Sequence, residues 1–184
     1  MPPSASLPGF HSPGASTEAP LEMLSACHGR VTSQCETLQR LDQHLATHGS
    51  DTAAREAASA VMRYFDMAAP HHHADEEQDL FPQLREAMAG SDAVCIRALT
   101  DRLCAEHRAL EGQWQALRAV LQGIAQGQAV RPAPGQVEAF VTAYQAHIAC
   151  EENELLPMAA RLLADTQLAQ IGRAMRERRG IGPV

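Results

Sequence analysis

The sequence has 184 residues, 45% of them apolar and only 4% aromatic, and its formal net charge is −7. This length and composition suit one domain with a sizeable core and favour helices over sheet. The acidic balance argues against a general nucleic-acid-binding protein, because basic residues cluster only near the C-terminus. We find neither a signal-peptide pattern nor an apolar run long enough to cross a bilayer, so we expect a soluble, cytoplasmic protein without membrane contact.

The five cysteines are scattered along the chain, and no two of them form a CxxC motif. An odd number at such spacings indicates neither a disulfide framework nor a structural zinc site. We expect reduced, mostly buried thiols at Cys27, Cys35, Cys95, Cys104 and Cys150.

Residues 1–16 contain four prolines, two glycines and four serines, which predicts a flexible N-terminal arm. The first helix is expected to follow Ser16 or Thr17 as its cap. It tolerates Pro20 in its first turn and ends before Gly49. Its apolar positions recur at steps of three or four and place His28 where a core leucine is expected. These positions are Leu21, Leu24, Val31, Cys35, Leu38, Leu41 and Leu45.

Two further histidines, His44 and His48, lie four residues apart near the end of this helix. A pair at that spacing can bind a metal ion. Histidines at a helix C-terminus more often cap carbonyl groups and complement the helix dipole, and this is the interpretation that we favour.

The second helix is expected to begin near Asp51 and Thr52 and to carry His72 on its apolar stripe. Pro70 and Pro82 each remove a helical hydrogen bond, so we expect a bend or a break around both. The rest of the stripe is formed by Val61, Phe65, Ala68, Glu76 and Leu80.

A motif around this histidine returns seventy-five residues later in the fourth helix. Both copies read His-x-x-x-Glu-Glu-x-acid-Leu-apolar-Pro. Positions i and i+4 project from one helix face, so each copy supplies an imidazole and a carboxylate that can grip one metal centre. Helical bundles build di-iron and di-manganese sites in this way. The two pairs are His72 with Glu76 and His147 with Glu151.

Three adjacent histidines precede the first acidic pair, and they cannot all face inward, because neighbouring helical residues are about 100° apart. His72 is in register with the apolar stripe and aligns with His147 of the second copy. We therefore expect His71 and His73 at surface or supporting positions. The pair of His73 with Glu77 has the same spacing and is the competing choice.

The third helix is expected to begin at Ser91 or Asp92 as its cap and to place His107 in its apolar stripe. Glu111 follows this histidine by four residues and borders the same stripe. The remaining positions of the stripe are Ile96, Leu99, Leu103, Leu110, Trp114, Leu117, Leu121 and Ile124.

Glycine and proline predict a loop over residues 127–135 before the fourth helix. Beyond that helix, residues 165–178 have the pattern of a short amphipathic helix that ends in several arginines. Such a run usually lies in solvent, and docking onto an acidic partner is the alternative.

Four long amphipathic helices with short connections predict an all-α fold, an antiparallel up-down four-helix bundle. We expect a short extra C-terminal helix and an extended N-terminal arm. The expected boundaries are 1–16 for the arm, 17–165 for the bundle, and 166–184 for the C-terminal helix with its basic tail.

Each of the four helices places one histidine in its apolar stripe, and two of these histidines have a glutamate at i+4. A single core histidine is more often a hydrogen-bonded structural residue. Four histidines with two glutamates are hard to bury unless they bind metal, because charged carboxylates are almost never fully buried without a partner. The pattern therefore predicts a metal centre in the core.

The order His, HxxxE, His, HxxxE, with an LFP-like end after the acidic pair, resembles the hemerythrin-like (HHE cation-binding) domain over about residues 20–165. This resemblance implies two iron ions bridged by the glutamates and by an oxo or hydroxo group, with the histidines capping the metals. Manganese or zinc is the alternative metal. The implied ligands are His28, His72, Glu76, His107, His147 and Glu151.

One position departs from the oxygen-carrying hemerythrins, which have a second histidine where this chain has Glu111. The ligand set looks more like the bacterial di-iron proteins of iron-sulfur repair and the eukaryotic iron-sensing domain. The repair proteins carry an additional cysteine-bearing N-terminal domain, and the N-terminal segment here contains no cysteine. If Glu111 reaches a metal, it makes the centre harder and stabilises the ferric state.

Three other side chains near the candidate ligands are candidates for a functional role. Cys27 adjoins His28, and Cys150 lies within the second motif. Inert packed thiols are favoured over redox partners for both, because adjacent helical positions point elsewhere. Tyr144 is one turn from His147 and either hydrogen-bonds a bound oxygen species or fills the core.

We therefore expect a non-haem di-iron protein that binds O2, NO or a related small oxidant in sensing, stress response or iron handling. The alternative is a di-iron enzyme or an iron donor for iron-sulfur cluster repair, and the sequence leaves open whether the protein is an enzyme. A small diatomic or peroxide ligand and an unidentified redox partner are implied. A homodimer stays open, because periodicity does not define the outer surface.

Overall fold

The computed structural model describes residues 17–87 and 93–181. These residues form helices joined by short connections, and no strand occurs among them, which confirms the all-α prediction. The elements are α1 (Pro20–His48), α2 (Thr52–Ala74), π1 (Asp75–Leu80), α3 (Phe81–Ala87), α4 (Ala93–Ala125), α5 (Gln136–Cys150), π2 (Glu151–Leu155), α6 (Leu156–Leu162) and α7 (Asp165–Arg178). The predicted N-terminal arm and the predicted cap of the third helix at Ser91 or Asp92 lie outside the described residues.

The ends of α1 follow the backbone chemistry of proline and glycine. The helix starts at Pro20 with Ala19 as its N-cap, so the predicted cap at Thr17 is wrong, and Ser16 lies outside the described residues. Proline at the first helical position has its φ already set and loses no hydrogen bond there. The predicted end before Gly49 is confirmed, and that glycine has a φ of 67°.

The predicted start of α2 is also confirmed. Asp51 is its N-cap and accepts a hydrogen bond from the backbone N–H of Ala54 at 2.9 Å. His44 Nε2 lies 3.0 Å from the other oxygen of Asp51, so this histidine helps to join the end of α1 to the start of α2. His48 Nδ1 lies 2.6 Å from Oγ1 of Thr47, and capping of carbonyl groups by these two histidines stays a prediction.

The interruption of the second helix agrees with the prediction near Pro82 but not at Pro70. α2 continues through Pro70 to Ala74, so a break at this proline is wrong, while a bend there stays a prediction. The helix instead widens into π1, where the backbone N–H of Phe81 bonds to the carbonyl oxygen of Glu76, five residues earlier. π2 does the same before Pro157. A proline ring clashes with the carbonyl four residues earlier in a regular helix, and a wider turn just before the proline relieves that clash.

The long helices pack around a common interior. α1 contacts α2 and α5, while α4 contacts the same two helices from the other side. Their buried apolar side chains form two clusters: the first includes Leu38, Phe65, Leu117 and Phe140, and the second includes Leu24, Leu80, Leu103 and Leu155. Along α1 and α4 the chain passes from the second cluster to the first, whereas from α2 into π1 and from α5 into π2 it passes from the first to the second. In each of these helices one buried histidine lies between the clusters, so the polar layer of the core is enclosed by apolar side chains on both sides.

The C-terminal helix α7 covers the range that the sequence pattern predicts, and it packs on π1 and α1. The expectation that the arginines at the end of this helix lie in solvent is wrong for Arg178 and Arg179. Arg178 and Arg179 both donate to the carboxylate of Asp75, which is fully buried, and Arg178 also donates to Asp79 at 2.7 Å. The acidic partner of these arginines is therefore π1 of the same chain. No helix in the described part of the chain is long and apolar enough to cross a lipid bilayer.

Candidate metal centre

The six predicted ligands are all buried in the polar layer between the two apolar clusters, and none is more than 3% exposed. Their nitrogen and oxygen atoms form two groups, and within each group all atoms lie within 4.8 Å of one another. Both groups contain Glu76 and Glu151, so the two carboxylates stand between two pairs of histidines. The first pair is His28 with His72, and the second is His107 with His147.

The Nε2 atoms of the two histidines in each pair lie close together. The distance is 3.1 Å between His28 and His72 and 3.0 Å between His107 and His147. One histidine of each pair comes from a helix with an HxxxE motif, and the other comes from a helix that supplies only a histidine. Each pair therefore joins two different helices, which explains why four separate apolar stripes each need one histidine.

The two oxygens of each glutamate face opposite histidine pairs. Oε2 of Glu151 lies 3.1 Å from Nε2 of His28, while its Oε1 lies 3.0 Å from Nε2 of His147. Oε1 of Glu76 lies 3.6 Å from Nε2 of His72, and its Oε2 lies 3.4 Å from Nε2 of His107. Each carboxylate could therefore offer one oxygen to a cation at either histidine pair.

The donor atoms fit a metal ion better than they fit one another. All four oxygens of Glu76 and Glu151 are buried, and their contacts with the imidazole nitrogens lack hydrogen-bond geometry. Buried carboxylates without partners are costly, and a cation held between converging oxygens and nitrogens removes that cost. Neutral imidazole and carboxylate are ligands that suit iron, manganese and zinc.

A second set of carboxylates holds the outer nitrogens of three of the histidines. Nδ1 of His28 lies 2.6 Å from Oε1 of Glu152, and Nδ1 of His107 lies 2.7 Å from Oε1 of Glu77. Nδ1 of His147 lies 2.8 Å from Oε2 of Glu106. An Nδ1–H that donates outward leaves the Nε2 lone pair directed at the centre, which is the usual support of a metal-binding histidine.

Our sequence reasoning missed these supporting glutamates, although the doubled glutamate of each motif was the signal. The first glutamate of each doublet, Glu76 or Glu151, turns into the core. The second, Glu77 or Glu152, projects from the next position round the helix and reaches a histidine on a neighbouring helix. Glu106 had no comparable signal beyond its place next to His107.

Burial and the charged neighbours shift the pKa values of the site in opposite directions. Burial lowers the pKa of His28, but the close negative charge of Glu151, with further charge from Glu76 and the hydrogen bond with Glu152, raises it to about 9. Burial also lowers the pKa of His107, but the neighbouring carboxylates of Glu151, Glu76 and Glu77 raise it to about 10. Burial and repulsion from Glu151 raise the pKa of Glu76, whereas burial and the neighbouring His28 lower that of His72. Without metal, the cluster therefore shares protons among its ligands, and metal binding must displace them.

His73 faces the centre rather than the surface. Its ring stacks on that of His107, with 3.9 Å between the centroids and 12° between the planes. One of its nitrogens lies within 4.8 Å of nitrogens of His107 and His147. The competing pair of His73 with Glu77 does not form a ligand group in the described residues, since Glu77 pairs with His107 and Arg108. His71 is half-buried, and burial and nearby Arg179 lower its pKa.

The other candidates lie outside the donor groups. Glu111 is exposed, lines an open cavity beside the centre, and belongs to no donor group of the described residues. Tyr144 is buried among aromatic rings, with 6.4 Å between its ring centroid and that of His147. Arginines donate to the sulfur atoms of Cys27 at 3.0 Å and of Cys150 at 2.8 Å, while burial raises the pKa of both thiols. The prediction of mostly buried thiols is wrong, because Cys95 is exposed and only Cys27 and Cys35 are fully buried.

These features define a helical-bundle protein whose core holds a cluster of histidines and carboxylates suited to metal cations. Residues 19–159 match the family model for the hemerythrin HHE cation-binding domain, and the chain belongs to this family. A protein of Haemophilus influenzae strain Rd, described as uncharacterized, is 34% identical over 167 residues, which cover 91% of this chain and 94% of that protein. Membership of the family supports metal binding by this chain.

Proposed function

We propose that this chain is a non-haem di-iron protein that binds O2, NO or a related small oxidant. The observation that carries the proposal is the orientation of Glu76 and Glu151. In each of these glutamates, one carboxylate oxygen faces the first histidine pair and the other oxygen faces the second. A single metal ion has no need of two carboxylates that span two separate pairs of histidines. Two ions of the same kind use all six side chains, as in the carboxylate-bridged centres of helical bundles.

We infer that neighbouring long helices run in opposite directions. The order of the two apolar clusters reverses between α1 and α2 and between α4 and α5. An up-down arrangement brings residues at equal heights together, which is how His28 comes to face His72 and His107 comes to face His147. Each helical hairpin then contributes one half of the centre.

Iron suits this site because the ligands are a mixture of imidazole and carboxylate, and an iron pair supplies redox chemistry and open positions for a small molecule. The protein orients the histidines through Glu77, Glu106 and Glu152. The two apolar clusters on either side restrict water. A small oxidant is the ligand that this combination fits, and a redox partner is needed to restore the starting state.

The first test is metal content together with absorption spectra of the full chain purified from iron-supplied cells. We expect about two iron ions per chain and near-ultraviolet bands that bleach on reduction and change with O2 or NO. Reversible change with one gas supports a binding role. Steady consumption of the gas or of peroxide supports an enzyme, and transfer of iron to a damaged cluster supports a repair role. Zinc, or no metal, in a folded chain would contradict the proposal.

A matched pair of variants checks the ligand assignment. His107→Ala removes a nitrogen of the centre, so we expect loss of iron and of the near-ultraviolet bands. His44→Ala removes a histidine of the same type that pairs with Asp51 away from the centre, and iron content should stay unchanged. A normal iron content in His107→Ala would show that His107 is not a ligand.

A further inference from the structure

An open cavity of about 720 Å³ lies between α2 and α4 and reaches the centre at His73 and His107. Phe65 and Trp114 supply aromatic wall, with the ring centroids 4.8 Å apart. Of the second histidine pair, His107 lines the cavity and His147 does not. The cavity therefore extends from solvent to one histidine of the centre and to its neighbour His73.

The rim of the cavity is charged but paired. Arg108 donates to Glu77 at 2.6 Å and 3.0 Å, and Arg118 donates to Asp66 at 2.8 Å and 2.9 Å. The third carboxylate of the lining, Glu111, leaves it with a small excess of negative charge. Such a rim disfavours large anions and suits a small uncharged molecule.

His73 is the polar group at the inner end that has no assigned role. Its Nε2 is buried and has no hydrogen-bond partner among the described residues. Buried polar atoms without a partner are uncommon and need an explanation. The nearby second histidine pair and the open cavity point to a molecule that enters from solvent as the missing partner.

The stacking of His73 on His107 distinguishes this role from metal ligation. The lone pair of an imidazole nitrogen lies in the plane of its ring, so two nearly parallel rings, 3.9 Å apart face to face, do not direct their lone pairs at one ion. His107 is also held by Glu77 at its outer nitrogen, whereas His73 is not. His73 would therefore lie beside a metal held by the second pair rather than bind to it.

We propose that the cavity is the binding site of the small oxidant and that His73 is a positioning residue that hydrogen-bonds to it. This inference rests on the proposed di-iron function and names the residue that selects the ligand. The ligand class is a small uncharged molecule with a hydrogen-bond acceptor, such as NO, O2 or hydrogen peroxide.

The experiment measures NO binding to the reduced, iron-loaded full chain, with iron content determined for every sample. His73→Phe and His73→Ala both remove the hydrogen bond, one keeping the bulk and the other opening space. We expect each to raise the Kd for NO by about 3- to 10-fold, the effect of one hydrogen bond, with unchanged iron content. His73→Gln keeps a hydrogen-bonding group and should restore part of the affinity. His71→Ala is the matched control, because His71 lies two residues away and does not line the cavity.

Other results overturn the inference. Wild-type affinity in both His73→Phe and His73→Ala excludes the hydrogen bond, and weaker binding in His73→Phe alone shows a steric effect only. Loss of iron in these variants, with normal iron in His71→Ala, makes His73 a metal ligand instead. A wild-type chain that holds no iron or does not bind NO defeats the proposed function itself, so the two failures are distinguishable.

Discussion

The contact of α7 with π1 predicts that Arg179 stabilises the fold through a buried carboxylate. The Arg179 side chain is only 3% exposed and donates to both oxygens of Asp75, which is fully buried. Arg178 also donates to Asp75, so Arg179→Met leaves that carboxylate with one cationic partner. Breaking a buried pair completely costs about 3–5 kcal/mol. With one partner retained, we expect a loss of about 2–3 kcal/mol, the upper part of the range of about 1.5–3 kcal/mol for hydrogen bonds to charged groups.

The assay is urea unfolding of the full chain followed by circular dichroism, supported by thermal unfolding. For a chain of this size, the loss corresponds to a decrease in Tm of about 5–10 °C. Arg173→Met is the matched control, because Arg173 is an exposed arginine on the same helix. It should change the free energy of unfolding by less than about 0.5 kcal/mol.

A double-mutant cycle with Asp75→Asn tests the cause. If Arg179 acts by neutralising Asp75, the cost of Arg179→Met should fall by about 1 kcal/mol or more once the carboxylate is gone. An equal cost in both backgrounds would refute this reasoning. So would an equal cost for Arg179→Met and Arg173→Met.

Four further predictions concern the histidine supports, the packing of α7, the removal of metal and the protons that metal binding displaces. Glu152→Gln weakens the hold on Nδ1 of His28 and should lower metal affinity by about 10-fold in a chelator competition, whereas Glu154→Gln, at an exposed position, should not. Gly172→Ala places a Cβ 2.0 Å from a backbone oxygen and should cost about 1–3 kcal/mol in urea unfolding, while Gly29→Ala, with open space around it, should not destabilise the chain. Metal removal by a chelator should lower Tm. If the free metal concentration was 100 times Kd before removal, the lost stabilisation is about 2.7 kcal/mol. An unchanged Tm would argue against metal binding to the native chain. Calorimetry in two buffers should detect proton release on metal binding, and affinity should fall as the pH is lowered, because the free chain holds protons on histidines whose pKa values are raised.

Much of the architecture follows from local sequence. A helix buries one face, so apolar residues at steps of three and four define that face, and any polar residue at the same steps must enter the core with them. This is why His28 and His107 could be recognised as core residues without knowing which side chains they contact. The i, i+4 spacing likewise places His147 and Glu151 on one face regardless of what packs against it. The helix ends at Pro20 and Gly49 also have a local cause, in the backbone preferences of those residues.

The tertiary structure decided what lies across from each of these faces. Helical periodicity states the direction of a side chain but not the residue that meets it, so Glu152 could not be matched to His28, 124 positions earlier. The same limit hid the docking of Arg179 on Asp75, because a basic helix end has the same pattern in solvent and against an acidic surface. His73 lay one residue beyond the predicted face, and only the packing of α2 against α4 turned it toward His107. Direction is set by the local backbone, whereas partners are set by how helices distant in sequence pack together.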